Sequence, residues 1–203
     1  MRDAGIGRVL VASLHQAISD ELPTRLGFYE SWLHAEGLRD GTIGLAPLYA
    51  VLSFLRQEGA AYDQVMIRAG EYAAEWSVAE VGADERRAIE SAPAWLRLRL
   101  IMRLARQLVR SSYQSSRMSA RVRHGAAEIN VRGSVFCSVR EPVTQPLCGY
   151  YAAALTRMLG LFRVPGRVVV RSCRSTGDGG AHCMLEMVPE PAATSGAAEV
   201  TAA

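Results

Sequence analysis

The 203-residue chain is 49% apolar and 21% charged, a composition typical of a globular domain and unlike that of disordered or collagen-like proteins. No uncharged apolar run reaches the ~18 residues of a membrane-spanning helix, and residues 1–20 lack the small-residue cleavage site of a signal peptide. We therefore expect a cytoplasmic protein without a membrane span.

The net charge of +3 is distributed unevenly along the chain. Residues 1–85 carry six arginines and 13 acidic residues, whereas residues 86–132 carry 11 arginines and two acidic residues. The middle segment should therefore produce a local positive field.

Apolar residues recur at helical spacing through residues 1–118, which predicts an all-helical first part of the chain. Gly37 is placed to end the second helix, and Ser91 is placed to cap the last and longest one. The expected helices cover about residues 9–22, 25–36, 47–59, 62–76 and 93–117.

The last predicted helix of this part carries an arginine stripe. At 100° per residue its members lie within about 60° of one another, opposite an apolar face. They are Arg99, Arg103, Arg106, Arg110 and Arg117. The stripe is explained by a solvated face or by a partner for the acidic first half; an anion site is the next interpretation. Nucleic acid is less favoured, because no aromatic residues interleave with the arginines.

The last third of the chain changes to strand periodicity. Residues 127–139 predict one or two strands bent at Gly133, a helix follows over about 147–162, and residues 166–173 and 182–188 predict a hairpin. The fold class is therefore α+β, with a helical layer packed on a small antiparallel sheet. We expect one domain over residues 1–188, made of a helical part (1–118) and a strand-helix-hairpin part (119–188), and a disordered tail (189–203).

Four cysteines, Cys137, Cys148, Cys173 and Cys183, lie in this last third. Cys173 and Cys183 occupy the two arms of the predicted hairpin, Cys148 opens the preceding helix, and Cys137 ends the strand before it. These positions converge if the helix N-terminus packs against the end of the sheet. No C-x-x-C pair is present, so spacing alone leaves buried free thiols, a zinc site and a redox pair all open.

Several stretches around these cysteines resemble the 4-vinyl reductase domain family over about residues 130–188. They are residues 133–137 (GSVFC), 146–153 (PLCGYYAA), 168–173 (VVVRSC) and 177–187 (GDGGAHCMLEM). The family is named for a bacteriochlorophyll 4-vinyl reductase. Its fold is similar to that of the TRAPP core subunits and, more distantly, to that of haem nitric-oxide sensors.

The resemblance implies a domain that binds apolar small molecules and dimerises through its helices. In the aromatic-compound-sensing regulators of this family, cysteines in the positions of Cys148, Cys173 and Cys183 bind zinc with an acidic fourth ligand. Here Cys137 stands near that acidic position, with Glu128 or His182 as substitutes. Four protein ligands leave no open coordination position, so such a zinc would be structural.

Tyr113, Ser115 and Arg117 resemble the Tyr-x-Ser-x-Arg triad that holds haem propionates in the haem nitric-oxide-binding relatives. The axial histidine of that family has no counterpart, because residues 78–90 contain no histidine. The alternative interpretation is the polar end of a helix.

The expected function is non-catalytic binding of an apolar or tetrapyrrole-like small molecule by a homodimer. The predicted ligand contacts lie between helices and sheet and are Trp32, Phe54, Met66, Tyr72, Trp76, Tyr150, Tyr151 and Arg117. One alternative is an accessory or reductase role in bacteriochlorophyll synthesis, which would need a hydride donor from elsewhere because the sequence shows no nucleotide site. The other is an assembly module like the TRAPP subunits.

Overall fold

Seven α-helices and four β-strands are formed by the residues that the computed structural model describes, which are 5–33, 44–123, 125–177 and 180–188. The helices are α1 (Arg8–Glu21), α2 (Leu26–Glu30), α3 (Leu45–Gln57), α4 (Ala60–Ala79), α5 (Ala83–Ser91), α6 (Ala94–Ser112) and α7 (Gly149–Leu161). The strands are β1 (Arg117–Arg123), β2 (Ala126–Arg132), β3 (Arg167–Ser172) and β4 (His182–Val188). The predicted α+β class is confirmed.

The helical layer forms because apolar side chains recur on one face of each helix. In α1, Leu10, Leu14 and Ile18 are fully buried at a spacing of four residues. Helix α4 packs against both α1 and α7. At Gly70 of α4, a Cβ atom would lie 2.3 Å from the backbone oxygen of Tyr150. The close approach of α4 to α7 therefore requires glycine at this position.

The sheet has the strand order β1-β2-β4-β3, and every neighbouring pair is antiparallel. Strands β3 and β4 form the predicted hairpin, with a bulge between Val170 and Ser172. In the pairing of β2 with β4, Val131 lies opposite Cys183. This register places Cys183 at the end of the sheet that faces the N-terminus of α7.

The segment from Gly133 to Cys148 joins β2 to α7 without forming a helix or a strand. Gly133 begins it with a positive φ of 66°, and a Cβ atom there would lie 2.5 Å from the backbone oxygen of Ser115. The hydroxyl of Ser116 donates a 2.9 Å hydrogen bond to the carbonyl of Gly133. Only glycine permits this turn beside the start of β1.

Several predicted boundaries in the helical part are wrong. The helix predicted over 25–36 ends at Glu30, and residues 34–43 lie outside the described part. Ser91 is the last residue of α5, and Pro93 occupies the cap position of α6 instead. Helix α6 ends at Ser112. It has 19 residues, one fewer than α4, so it is not the longest described helix, contrary to the prediction.

Arg117 begins strand β1 and does not continue the helix, contrary to the prediction. The prediction fails because Met118, Ala120 and Val122 alternate with polar residues, a strand pattern that the helical arginine spacing obscured. The strand predicted over 127–139 ends at Arg132, because Gly133 turns the chain away from the sheet.

None of the described helices combines the length and the apolarity that crossing a lipid bilayer would demand. The tail predicted to be disordered, residues 189–203, and the predicted helix end at Gly37 both lie outside the described residues.

Candidate metal centre and ligand groove

The structure brings the four cysteines together. All four side chains are buried, and their sulfur atoms lie within 4.8 Å of one another. The sulfur of Cys173 is 3.3 Å from that of Cys137, 3.4 Å from that of Cys148 and 3.5 Å from that of Cys183. The Cys137 and Cys183 sulfurs are 3.4 Å apart. We call this group the cysteine cluster.

Each cysteine is held by a different element. Cys148 caps α7, and its carbonyl accepts hydrogen bonds from the first turn of that helix. Cys173 follows β3 and opens a short 3-10 turn, whereas Cys183 lies within β4. Cys137 belongs to the irregular segment after β2. The cluster therefore joins the sheet, the helix and the irregular segment at one point.

Hydrogen bonds around the cluster fix its loops. The side-chain oxygen of Ser175 accepts a 3.2 Å bond from the backbone N–H of Leu147, and the backbone carbonyl of Ser175 accepts a 2.8 Å bond from Val143. The hydroxyl of Tyr62, on α4, donates to the carbonyl of Leu147. These contacts tie the residue before Cys148 to the turn after Cys173 and to the helical layer.

Four of the sulfur separations are close to those around a single tetrahedral metal ion. A disulfide bond would need a sulfur separation of ~2.05 Å, so the four thiols are free. Four thiolates at ~2.3 Å from a central zinc ion lie ~3.8 Å apart. The observed 3.3–3.5 Å contacts differ from this by a few tenths of an ångström. The donor set fits zinc, which favours four sulfur ligands in closed structural sites.

Mutual contacts separate the acidities of the thiols. The hydrogen bond with Cys137, together with burial, raises the pKa of Cys148 above its ordinary value. At Cys173 the pKa is lowered, because the thiols of Cys137 and the other two cysteines stabilise a thiolate there. The hydroxyl of Ser175, 3.0 Å away, adds to this effect. A bound cation would displace the protons of the thiols.

The two substitute ligands considered from sequence lie elsewhere. Glu128 is exposed on β2, and its Cα partner across the sheet is Glu186. His182 begins β4 opposite Arg132. Neither residue belongs to the cysteine cluster, whereas Cys137 does.

A groove with a volume of about 820 Å³ lies between α4, α7 and the start of β3. Charged residues line the groove at Glu71, Arg157, Arg163 and Arg167. The rest of its wall on α7 consists of small residues at helical spacing, which leave space above the helix. These are Gly149, Ala152, Ala153, Thr156 and Gly160. Ile67 of α4 and Val168 of β3 supply apolar surface on the other sides, and Ile67 is 48% exposed.

This groove is not the cavity predicted from sequence. None of the seven predicted aromatic and methionine contacts lines it. Two neighbouring ring pairs account for four of them: Trp32 lies 5.9 Å from Phe54, and Tyr72 stacks on Trp76 at 5.5 Å. Met66 is buried in the core. Sequence reasoning missed the groove because it sought large side chains, whereas the signal was the repeat of small ones along residues 149–160.

Tyr150 and Tyr151 are fully buried, and both rings pack against Phe136. Their hydroxyl oxygens lie 3.5 Å from Ser112 Oγ and 3.4 Å from Ser116 Oγ, respectively. Burial raises the pKa of both phenols, so they stay protonated. The two tyrosines fill the interior between α7 and the start of β1, where a cavity was expected.

Arg117 is exposed at the start of β1, and its guanidinium donates to the backbone carbonyls of Gln114 and Ser116. Tyr113 pairs with Ile6 in an isolated β-bridge. The two described histidines, His15 and His182, do not line any of the four described cavities. Among the described residues, these cavities therefore offer no histidine ligand to a haem iron.

Comparisons with known proteins support the fold. No protein-family profile matches the chain, and no curated protein matches it in sequence. In solved structures, the chain is similar to an H-NOX protein from S. oneidensis in the Fe(II)NO ligation state, with a TM-score of 0.55 and 10% sequence identity. The similarity covers 92% of this chain and 100% of that protein. The two proteins share a fold.

Proposed function

We propose that the protein is a non-catalytic, small-molecule-binding protein whose groove is held in shape by a structural zinc ion at the cysteine cluster. The ligand is an apolar molecule, of which a tetrapyrrole-like ring is one form. We also propose a relationship to the 4-vinyl reductase domains, which the order of the four cysteines supports.

The observation that carries the proposal is the position of the cluster relative to the groove. Helix α7 starts directly after Cys148 and supplies one wall of the groove. Strand β3 supplies Val168 to another wall and ends directly before Cys173. A metal bound by both cysteines would fix the two walls at one end.

A hydrogen bond supports the same two walls further along. The side chain of Thr156, on α7, accepts a 2.8 Å bond from the backbone N–H of Val168. With a metal at one end and this bond between the walls, the groove would keep its width whether or not a ligand is present. Its volume falls in the range of ~300–1,000 Å³ that small-molecule sites occupy.

The H-NOX similarity supports the use of this fold to hold a ligand, because that protein was solved in an Fe(II)NO ligation state. The chemistry proposed here differs, since the proposed metal has four sulfur ligands and no open position. Zinc would contribute folding free energy and would not contact the ligand.

Metal analysis tests the first half of the proposal. Purified protein should contain one zinc per chain, and none of the four thiols should react with a thiol reagent until a chelator removes the metal. Replacement by cobalt should give the visible absorption of a tetrahedral thiolate complex. Zinc-free protein with four readily modified thiols would contradict the proposed centre.

The second half is tested by filling the groove. Gly160 lines it, and a Cβ atom at Gly160 meets nothing within 4 Å, so Gly160→Trp should enter the groove without disturbing the core. The matched control is Gly27→Trp, because Gly27 also lies in a helix, has the same open surroundings and is outside the groove.

The probe is N-phenyl-1-naphthylamine, a neutral dye that fluoresces in apolar sites. Wild-type protein and Gly27→Trp should bind it equally, and Gly160→Trp should bind it at least about tenfold more weakly. Equal binding by all three proteins would place the apolar site outside the groove and overturn this half of the proposal.

A further inference from the structure

A second concave site lies between α6 and β1, on a different part of the molecule from the cysteine cluster. It has a volume of about 270 Å³ and is lined by four arginines, Arg103, Arg106, Arg110 and Arg117, together with Gln107. No acidic residue is among the described residues that line it. We call it the arginine cleft.

The arrangement follows from the period of α6. Arg103, Arg106 and Arg110 are spaced by three and four residues, so they share the exposed face of the helix. The opposite face, which includes Leu104 and Leu108, is buried in the core. The arginines therefore line up along about two helical turns, with Cα atoms rising ~1.5 Å per residue.

The fourth arginine comes from the strand that follows. The chain turns after α6 through a 2.9 Å hydrogen bond from the backbone N–H of Ser116 to the carbonyl of Tyr113. Arg117 then begins β1, and its guanidinium donates hydrogen bonds to the carbonyls of Gln114 and Ser116. These bonds use part of the donor capacity of Arg117, since a guanidinium has five N–H donors.

The cleft arginines differ from several other arginines in lacking an ion pair with a carboxylate among the described residues. Arg68, Arg86 and Arg157 each form an ion pair with a described carboxylate. Among the residues the structure describes, no carboxylate pairs with any of the four cleft arginines. Arginine cannot lose its proton at physiological pH, so four positive charges repel one another within one small cleft.

We propose that the arginine cleft binds a phosphate group. Planar guanidinium groups donate paired hydrogen bonds to phosphate oxygens, and a group with two or more negative charges would offset the mutual repulsion. A duplex nucleic acid would instead use an extended positive face, and the cleft is a local concavity. The phosphate belongs either to a free phosphorylated molecule or to a lipid headgroup, which share this chemistry.

The test is calorimetric titration of the purified 203-residue protein with inorganic pyrophosphate. The variant is Arg106→Gln/Arg110→Gln, which keeps the exposed helix face polar. Its control is Arg99→Gln, because Arg99 lies on the same face of α6 but does not line the cleft. Thermal melting by circular dichroism establishes that all the proteins are folded.

Wild-type protein should bind pyrophosphate with a dissociation constant below about 1 mM. The double variant should bind at least about tenfold more weakly, as expected for the loss of charge-assisted hydrogen bonds, and Arg99→Gln should change the affinity less than about twofold. Absence of binding by the wild type, or equal weakening in the double variant and in Arg99→Gln, would overturn the proposal.

Vesicles of phosphatidylcholine with and without a phosphatidylinositol phosphate distinguish the two sources. Binding only to the phosphorylated vesicles, lost in the double variant, assigns the cleft to a lipid headgroup. Pyrophosphate binding without vesicle binding assigns it to a free phosphorylated molecule. These outcomes do not depend on the metal content or the groove, so the proposal stands or fails separately from the proposed function.

Discussion

The helical layer and the segment from Gly133 to Cys148 both bury apolar side chains, but they differ in regular backbone hydrogen bonding. In the layer, buried side chains such as Leu10 and Leu14 recur at helical spacing, so burial of apolar surface stabilises the helices directly. The segment from Gly133 to Cys148 has no repeating hydrogen bonds of its own. It is fixed at one end by a glycine turn and at the other by the cysteine cluster. The comparison teaches that buried side chains such as Phe136, together with the converging cysteines, position the chain where it is irregular.

Replacing the cysteine at the centre of the cluster should have the largest effect. Cys173 contacts the other three sulfurs, so Cys173→Ser should prevent zinc binding. The free energy of unfolding should then fall by more than about 5 kcal/mol, because metal binding is coupled to folding. Urea unfolding and metal analysis measure the two effects.

The control for this prediction is wild-type protein treated with a chelator, which should lose the same stability as Cys173→Ser. If Cys173→Ser retained one zinc per chain and wild-type stability, the cysteine cluster would not stabilise the segment from Gly133 to Cys148.

A cavity in the helical layer should cost less and should not depend on metal. Leu14 is fully buried in α1, and Leu14→Ala should lower the free energy of unfolding by about 2–5 kcal/mol. The same loss should be measured in zinc-loaded and in chelator-treated protein. If the chelator abolished the difference in unfolding free energy between Leu14→Ala and wild-type protein, the helical layer would not be stabilised independently of the cysteine cluster.

The contact between α4 and α7 should be sensitive to a single methyl group. Gly70→Ala would place a Cβ atom 2.3 Å from the backbone oxygen of Tyr150, and overpacking of this kind costs about 1–3 kcal/mol. Gly160→Ala is the matched control in α7, since its Cβ atom meets nothing within 4 Å. That change should be stabilising by about 0.5–1 kcal/mol. Thermal or urea unfolding that gave both variants the same sign would contradict the close approach.

The smallest effect concerns a hydrogen bond between α1 and α4. Tyr72 donates a 2.5 Å bond to Asp20, and this bond, followed by that from Gln16, lowers the pKa of Asp20 below its ordinary value of 3.8. The ionised Asp20 carboxylate therefore stabilises the fold at pH values above its ordinary pKa. This contribution is lost as the pH falls through the lowered pKa that Asp20 has in the folded protein.

Tyr72→Phe should raise the pKa of Asp20, and Gln16→Ala should raise it less, as measured by NMR titration of the carboxyl carbon. Neither titration should change when a chelator is added. A larger effect of Gln16→Ala would reverse the assigned order of the two hydrogen bonds.

The α+β class and the proximity of Cys173 to Cys183 could be predicted because local patterns suffice for both. A β-branched run and a glycine-rich turn predict the hairpin, and the hairpin brings Cys173 and Cys183 near each other. The position of Cys137 could not be derived locally, because Gly133 turns the chain against Ser115, a residue distant in sequence.

The groove escaped prediction for a related physical reason. The space above α7 exists because residues such as Ala152 and Gly160 have little or no side chain. Hydrophobic patterns in a sequence indicate where large apolar side chains lie, so they do not reveal such a space. Tyr150 and Tyr151 were expected around a cavity because they are large and amphipathic. Their rings fill the interior instead, with hydroxyls near serines that the sequence does not mark.

The strand order leaves β1 and β3 at the two edges of the sheet. Arg117 and Arg121 are exposed on β1, and Arg167 and Arg171 are exposed on β3. Positive charge along an edge strand discourages another molecule from adding a strand by backbone pairing. These side chains therefore oppose edge-to-edge pairing of the sheet with another molecule on both sides.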